Sequence, residues 1–233
     1  MKQPLRRLDA ADDIQFQPPL CQSNSFDIFD GFSLPSFHVS VLSDADGISA
    51  FGGYFRLFGI NDKVGPNLSE WNSPEYWKFS WRGRADDFLC FGTTGWGDQY
   101  AYHIGTLARG NEAPVFLLDA FTMEAEHISR SFETFWENDF VRNAIAPYDD
   151  VTVKARKALG MLDWNELAVF TPPLQLGGTE STSEFQKMTA RAAMIVNGDI
   201  TSQIDALGDE HEILRLEQYS DDLNRPRMRI LTR

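Results

Sequence analysis

The sequence predicts an α+β fold: a largely antiparallel sheet with helices packed on it, plus a mixed C-terminal extension. Three observations carry this. Strand-like segments come first, helical patterns follow, and a mixed tail ends the chain, an order unlike regular βαβ alternation. The segments 54–60 and 88–104 are rich in apolar and aromatic residues and bounded by glycine. Residues 128–140 carry large apolar side chains at helical spacing. With 233 residues, 42% hydrophobic and 24% charged, the composition is that of a globular chain and excludes a wholly disordered one.

The elements follow in order. Residues 1–30 read as a polar arm, with Pro18-Pro19 and no periodicity over Met1 to Asn24. Leu34-Pro35 opens a segment with Phe37, Val41 and Leu42 at helical spacing, although Val39 and Val41 make a strand the competing reading. Asp46-Gly47 and Gly52-Gly53 signal turns, and Tyr54 to Ile60 reads as a strand. Asn61 to Asn72 reads as a loop. Phe88 to Phe91 suits a strand covered on both faces. A glycine-rich loop, Gly92 to Gly97, joins it to an antiparallel strand over Asp98 to Ile104. Val115 to Asp119 is a further strand.

Ile128, Phe132, Phe135, Trp136 and Phe140 form one helical stripe, with Ser129 or Ser131 as its N-cap and Glu133, Glu137 and Asp139 on the solvent side. Asp149 or Asp150 caps a second helix that runs to Leu159 and stops at Gly160. In the tail, Ala192 to Val196 reads as a strand, and Asn197-Gly198-Asp199 starts a short helix bearing Ile200, Ile204 and Leu207. Glu212 to Tyr219 and Met228 to Leu231 form a hairpin around Asp221-Asp222.

Charge narrows the partners. The net charge is −13, with −7 in residues 111–150 and −6 in residues 205–222. Nucleic acid and anionic membrane are disfavoured, because both require a basic surface. A basic protein would be steered in by such a field. No apolar run reaches the roughly 18–20 residues that span a bilayer. Asp9, Asp12 and Asp13 make the first residues unlike a signal peptide. Cys21 and Cys90 make no disulfide framework, and a cytoplasmic setting is the expectation.

Chemical motifs are sparse. His38, His103, His127 and His211 form no His-x-His or His-Glu-x-x-His pattern, and Glu124-x-x-His127 reads as a solvated helix edge. The cysteines make no zinc pair, and no phosphate loop, dinucleotide fingerprint or nucleophile elbow is present. No catalytic residue, metal or cofactor is expected.

Aromatic clustering is the strongest local signal. Residues 71–102 hold ten of the thirty aromatics, which suits core packing or a recognition surface. Trp96, between two glycines, is the best surface candidate. Asp98, Tyr100 and Tyr102 share a strand face beside it, and Trp71 completes the binding candidates. Asp98 also reads as a turn former.

Several blocks resemble the SUKH superfamily of fungal cell-wall assembly regulators and bacterial immunity proteins. They are Leu34-Pro35, Asp46-Gly47, Gly53 to Gly59, Phe88 to Phe91 with Gly97-Asp98, Val115 to Asp119, and Ser131-Phe132-x-x-Phe135. This family resemblance implies a core over 31–147, followed by an extension over 148–233. The stretch Phe91 to Tyr100 also resembles a type VI secretion immunity domain. The resemblance implies a non-enzymatic protein-binding module, an immunity protein that occludes a basic toxin by direct contact. The alternative is a small-ligand-binding protein or enzyme working at the aromatic segment 71–102. A concave pocket with converging polar groups at Trp96, Asp98, Tyr100 and Tyr102 would favour it.

Overall fold

The computed structural model describes residues 4–11, 13–19, 28–29, 31–60, 65–108, 112–207 and 212–233. Its centre is a seven-stranded antiparallel meander: β1 (Gln15–Phe16), β2 (Ile48–Ala50), β3 (Phe55–Leu57), β4 (Phe88–Thr94), β5 (Gln99–His103), β6 (Val115–Leu118) and β7 (Ala125–Ser129). Each of these strands pairs with the next in this order. The α+β class and the antiparallel sheet are as the element order predicts. The fold differs first at β2, which occupies the stretch between the two turn signals. There the ladder continues through Ser49↔Arg56.

One face of the sheet is covered by two helices. Helix α1 (Ser36–Asp44) takes the helical alternative at Leu34-Pro35. Helix α2 runs through the turns Phe132–Phe135, Trp136–Phe140 and Val141–Ile145, the middle one a π turn. Ser131 caps it, accepting from the Thr134 amide at 3.2 Å. Phe132, Phe135, Trp136 and Phe140 are all buried, as the stripe requires. Phe91 meets Phe132 and Phe135 with centroids at 5.4 and 5.6 Å, and Tyr100 meets Phe135 at 4.7 Å.

Ile128 does not belong to that stripe. It lies on β7, and the cap at Ser131 starts the helix only after the strand has ended. Glu124-x-x-His127 likewise lies at this strand and not on a helix. The π turn adds a residue between buried positions 136 and 140–141. Asp139 is therefore half-buried and not turned fully to solvent.

The opposite face is covered by aromatics and by the tail. Helix α3 (Leu68–Asn72) lies within the expected loop, capped by Asn67, whose side chain accepts from Glu70 N at 2.9 Å. The part of that loop over 61–64 lies outside the described residues. Trp71, Trp77 and Trp81 are wholly buried, with Trp77 tilted against Trp71 and edge to face with Trp81.

Helix α4 (Asp150–Leu159) has the predicted ends, with Asp149 accepting from Val151 N and Thr152 N and Gly160 at φ +76°. Helix α5 (Ala190–Ile204) replaces the strand expected at Ala192 to Val196. A short apolar run does not distinguish a buried strand from a buried helix, and here Asn197-Gly198-Asp199 continues the helix. A Cβ on Gly198 would stand 2.6 Å from Ser80 Oγ and from Trp81 Cδ1, so this glycine permits the close approach.

Strands β8 (Glu166–Phe170) and β9 (Phe185–Thr189) form a second ladder. The tail closes with the expected hairpin, β10 (Ile213–Ser220) and β11 (Pro226–Thr232). It is held to α5 by Asp199, 1% exposed, which accepts from Arg227 Nε at 2.9 Å and from Met228 N at 2.8 Å. The N-terminal arm also packs down, with Leu5 and Leu8 buried and β1 on the sheet edge. Among the described residues, no helix is long and apolar enough to cross a membrane.

Truncating Trp136 to Ala should cost about 3–5 kcal/mol in urea melts, because it vacates a filled core position. Glu137→Ala should move stability by less than about 0.5 kcal/mol, since its 2.9 Å ion pair with Arg7 lies in solvent. A second series should show Gly198→Ala costing about 1–3 kcal/mol by overpacking. A neutral result there would mean that α5 stands off the 78–81 turn.

Candidate functional site

The aromatic segment divides between core and cavity. Trp71 is fully buried on the tryptophan face, its Nε1 donating to Gln99 Oε1 at 2.6 Å. Tyr102 is fully buried on the other face, sharing a 3.0 Å hydrogen bond with His38 Nδ1. Neither presents a surface to a partner, so both are corrected to core residues. The physical reason is common to both: each is a large ring that also satisfies a buried polar side chain.

Trp96 is corrected as well. It is 7% exposed, its ring stacked on Phe170 at 4.5 Å and 8°, and its Nε1 donates to Thr152 Oγ1 at 2.9 Å. The flanking glycines let the loop bring the indole against the later ladder. Local sequence gave no sign of that partner.

Trp96, Asp98 and Tyr100 nevertheless meet at one recess of about 260 Å³. Its apolar wall is Phe55, Trp96, Tyr100, Leu117 and Ile128. Its polar wall comes from elsewhere in the chain: Asp139 and Asn143 on α2, Tyr148, and Asp149 and Thr152 at the start of α4. Sequence reading missed these five. The available signals were the acid-rich 111–150 segment and the Asp149 cap.

Each carboxylate sits differently. Asp98 accepts from Ala120 N at 3.0 Å through Oδ1 and from Thr94 Oγ1 at 2.8 Å through Oδ2. Burial nevertheless pushes its pKa up to about 6. Asp149 accepts from Val151 N and Thr152 Oγ1, both at 2.8 Å. Burial also raises Asp139, partly offset by Arg142. Burial raises Tyr100 far above the ordinary phenol range, with Asp98 and Asp139 adding to the effect, so all three share one electrostatic neighbourhood. Arg142 stands over the Tyr148 ring, 4.1 Å from its centroid.

The recess offers acceptors and negative charge between aromatic walls. No Lys, Arg, His, Ser or Cys lines it, and its hydroxyls are those of Thr94, Tyr100, Tyr148 and Thr152. Among the described residues, no group of three His, Cys, Asp or Glu side chains is placed to hold a metal ion. A larger groove of about 420 Å³ runs between α5, β8 and the hairpin, lined by Phe121, Ile195, Leu216 and Met228. Arg227 at its rim is already paired with Asp199.

Half-buried Asp98 and fully buried His38 set opposing pH dependences. Asp98 keeps its proton up to about 6, while the unfolded chain releases it near pH 4. Its contribution to stability therefore falls as pH rises through that window. Burial lowers His38 to about 3, while the unfolded chain protonates near pH 6.5, so its contribution is lost as pH falls. Between about pH 4 and 6 the slopes oppose. In Asp98→Asn the histidine effect acts without that opposition. Urea midpoints should fall more steeply from about pH 6.5 to 4.5 in the variant than in the parent. Parallel profiles would mean that Asp98 titrates as a solvated carboxylate.

No family model matches this chain, and neither does any curated protein. Solved structures that match include the "Crystal structure of Atu4351 from Agrobacterium tumefaciens", 11% identical over 85% of this chain and 89% of that one, with a TM-score of 0.55. The likeness is one of fold.

Proposed function

We propose that this chain is a non-enzymatic binding module whose acidic side engages a basic protein partner, as an immunity protein occludes a toxin. The observation that carries the reading is the recess. Three carboxylates, Asp98, Asp139 and Asp149, open into it and no basic side chain lines it. Its surroundings add to the charge: Glu133 and Asp150 are exposed on α2 and α4, beside Glu137, which is exposed and paired with Arg7. A field of this sign raises the encounter rate with a basic protein and orients it. The block resemblance to the SUKH superfamily and to an immunity domain supports the same class.

A second reading, a small-ligand binder or enzyme at this segment, draws on the concavity of the recess and its converging polar groups. It keeps Trp96, Asp98 and Tyr100 as wall residues and gives up Tyr102 and Trp71.

The experiment is co-purification from the native host, with parent and Glu133→Lys/Glu137→Lys proteins compared. A stoichiometric basic partner should be retained at low salt, released at high salt, and lost from the double variant. Recovery of no stoichiometric partner, or of one indifferent to both salt and charge reversal, would remove the antidote reading.

A further inference from the structure

We propose that the recess walled by Asp98, Tyr100, Asp139 and Asp149 is a binding site for an alkylguanidinium group. The proposal rests on the binding reading above in using the same acidic side. It goes further in naming the chemical group that enters.

Tyr100 supplies the observation that acids alone would not. It is 4% exposed and lines the recess. Its hydroxyl makes no hydrogen bond to any described residue. Unlike the sealed orphan Nε1 atoms of Trp77, Trp81 and Trp136, this hydroxyl opens into the recess, where a ligand N–H would take the place of solvent on it. Around it the acceptors are incompletely used. Asp98 takes one hydrogen bond on each oxygen, leaving lone pairs free, and Asp139 accepts none from the described residues. Arg142 is the nearby cation, and its guanidinium lies outside the lining, over the Tyr148 ring.

Size and wall chemistry select the ligand. At about 260 Å³ the cavity lies below the roughly 300–1,000 Å³ of drug-sized sites and fits a side-chain-sized group. The carboxylates are not gathered tightly enough for a metal ion. Acceptors spread over the cavity suit the five N–H donors of a guanidinium, and aromatic walls suit its weak hydration better than that of an ammonium. An alkyl stem would lie along Phe55 and Trp96. The group has two sources, an arginine of a protein partner or a free small molecule.

The test titrates the full chain with n-butylguanidinium and with neutral N-butylurea, followed by calorimetry and amide NMR. Butylguanidinium should bind at least about tenfold tighter than the urea, the scale of one charge-assisted hydrogen bond. It should shift resonances in 96–100 and 139–152. Tyr100→Phe and Asp139→Asn should each weaken it about tenfold. Asp139 is half-buried, so its variant serves if the tyrosine variant does not fold. Equal affinity for the two probes, or binding unchanged in the folded variants, overturns the site. An arginine-containing peptide that binds tighter than butylguanidinium assigns the source to a protein; equal affinity assigns it to a free ligand. Butylguanidinium binding without a basic partner keeps the site and removes the antidote reading. A salt-sensitive partner without butylguanidinium binding does the reverse.

Discussion

A buried guanidinium organises the join between sheet and tail. Arg56 on β3 is 1% exposed and donates to three carbonyls, those of Gly53, Trp164 and Glu166. Burial lowers its pKa only to about 10, so it stays charged at neutral pH. A buried cation needs its N–H groups filled, and only a chain passing close by presents carbonyls in this way. Residues 162–168 therefore run against the sheet. Leu162 N donates to Gly52 O and Ala168 N to Gly95 O, both at 2.8 Å. Gly53 has no room for a side chain, since a Cβ would stand 2.3 Å from Leu162 O. The same approach carries Phe170 over Trp96, and that stack holds one wall of the recess.

Elements with complete local signals were readable from the sequence. Helix α4 has a capping aspartate, an acid at its start, bases near its end and a terminal glycine, and its ends agree with the reading. Strands β4, β5 and β6 are apolar runs between turn residues. The terminal hairpin combines alternation with an aspartate turn. Where one pattern serves two states, tertiary contact decided. The run Ala192 to Val196 became helix because α5 buries Ala193, Met194 and Ile195, with Asp199 one turn further holding the hairpin. Ile128 fell at helical spacing from Phe132 by coincidence, and the intervening Ser131 cap was the better guide.

The recess was half readable. Asp98 and Tyr100 lie two apart on one strand edge, so period-two alternation already put them together. Asp139, Asn143 and Asp149 come from a segment some forty residues later, and no local pattern ties a helix face to a strand. That juxtaposition needs α2 to cross the sheet at Tyr100, which depends on Phe135 packing there. Trp96 misled for a related reason. A tryptophan between glycines is exposed unless something covers it, and its cover, Phe170 and Phe185, is more than seventy residues away.

The electrostatic arrangement follows a division of labour. The buried cation Arg56 is satisfied inside the fold, by carbonyls. The buried anion Asp199 is satisfied inside the fold, by Arg227. Asp98 and Asp139 are different: burial raises both, no basic side chain lines the recess, and Arg142 outside the lining offsets Asp139 only in part. Stability alone would favour neutral side chains at these two positions, since each ionised carboxylate there opposes folding. Tyr100 beside them turns its unpartnered hydroxyl to the same recess. A fold that fills Arg56 and Asp199 from within and leaves this half-buried set facing the recess is arranged to complete it from outside. The missing element is a positive group with several N–H donors.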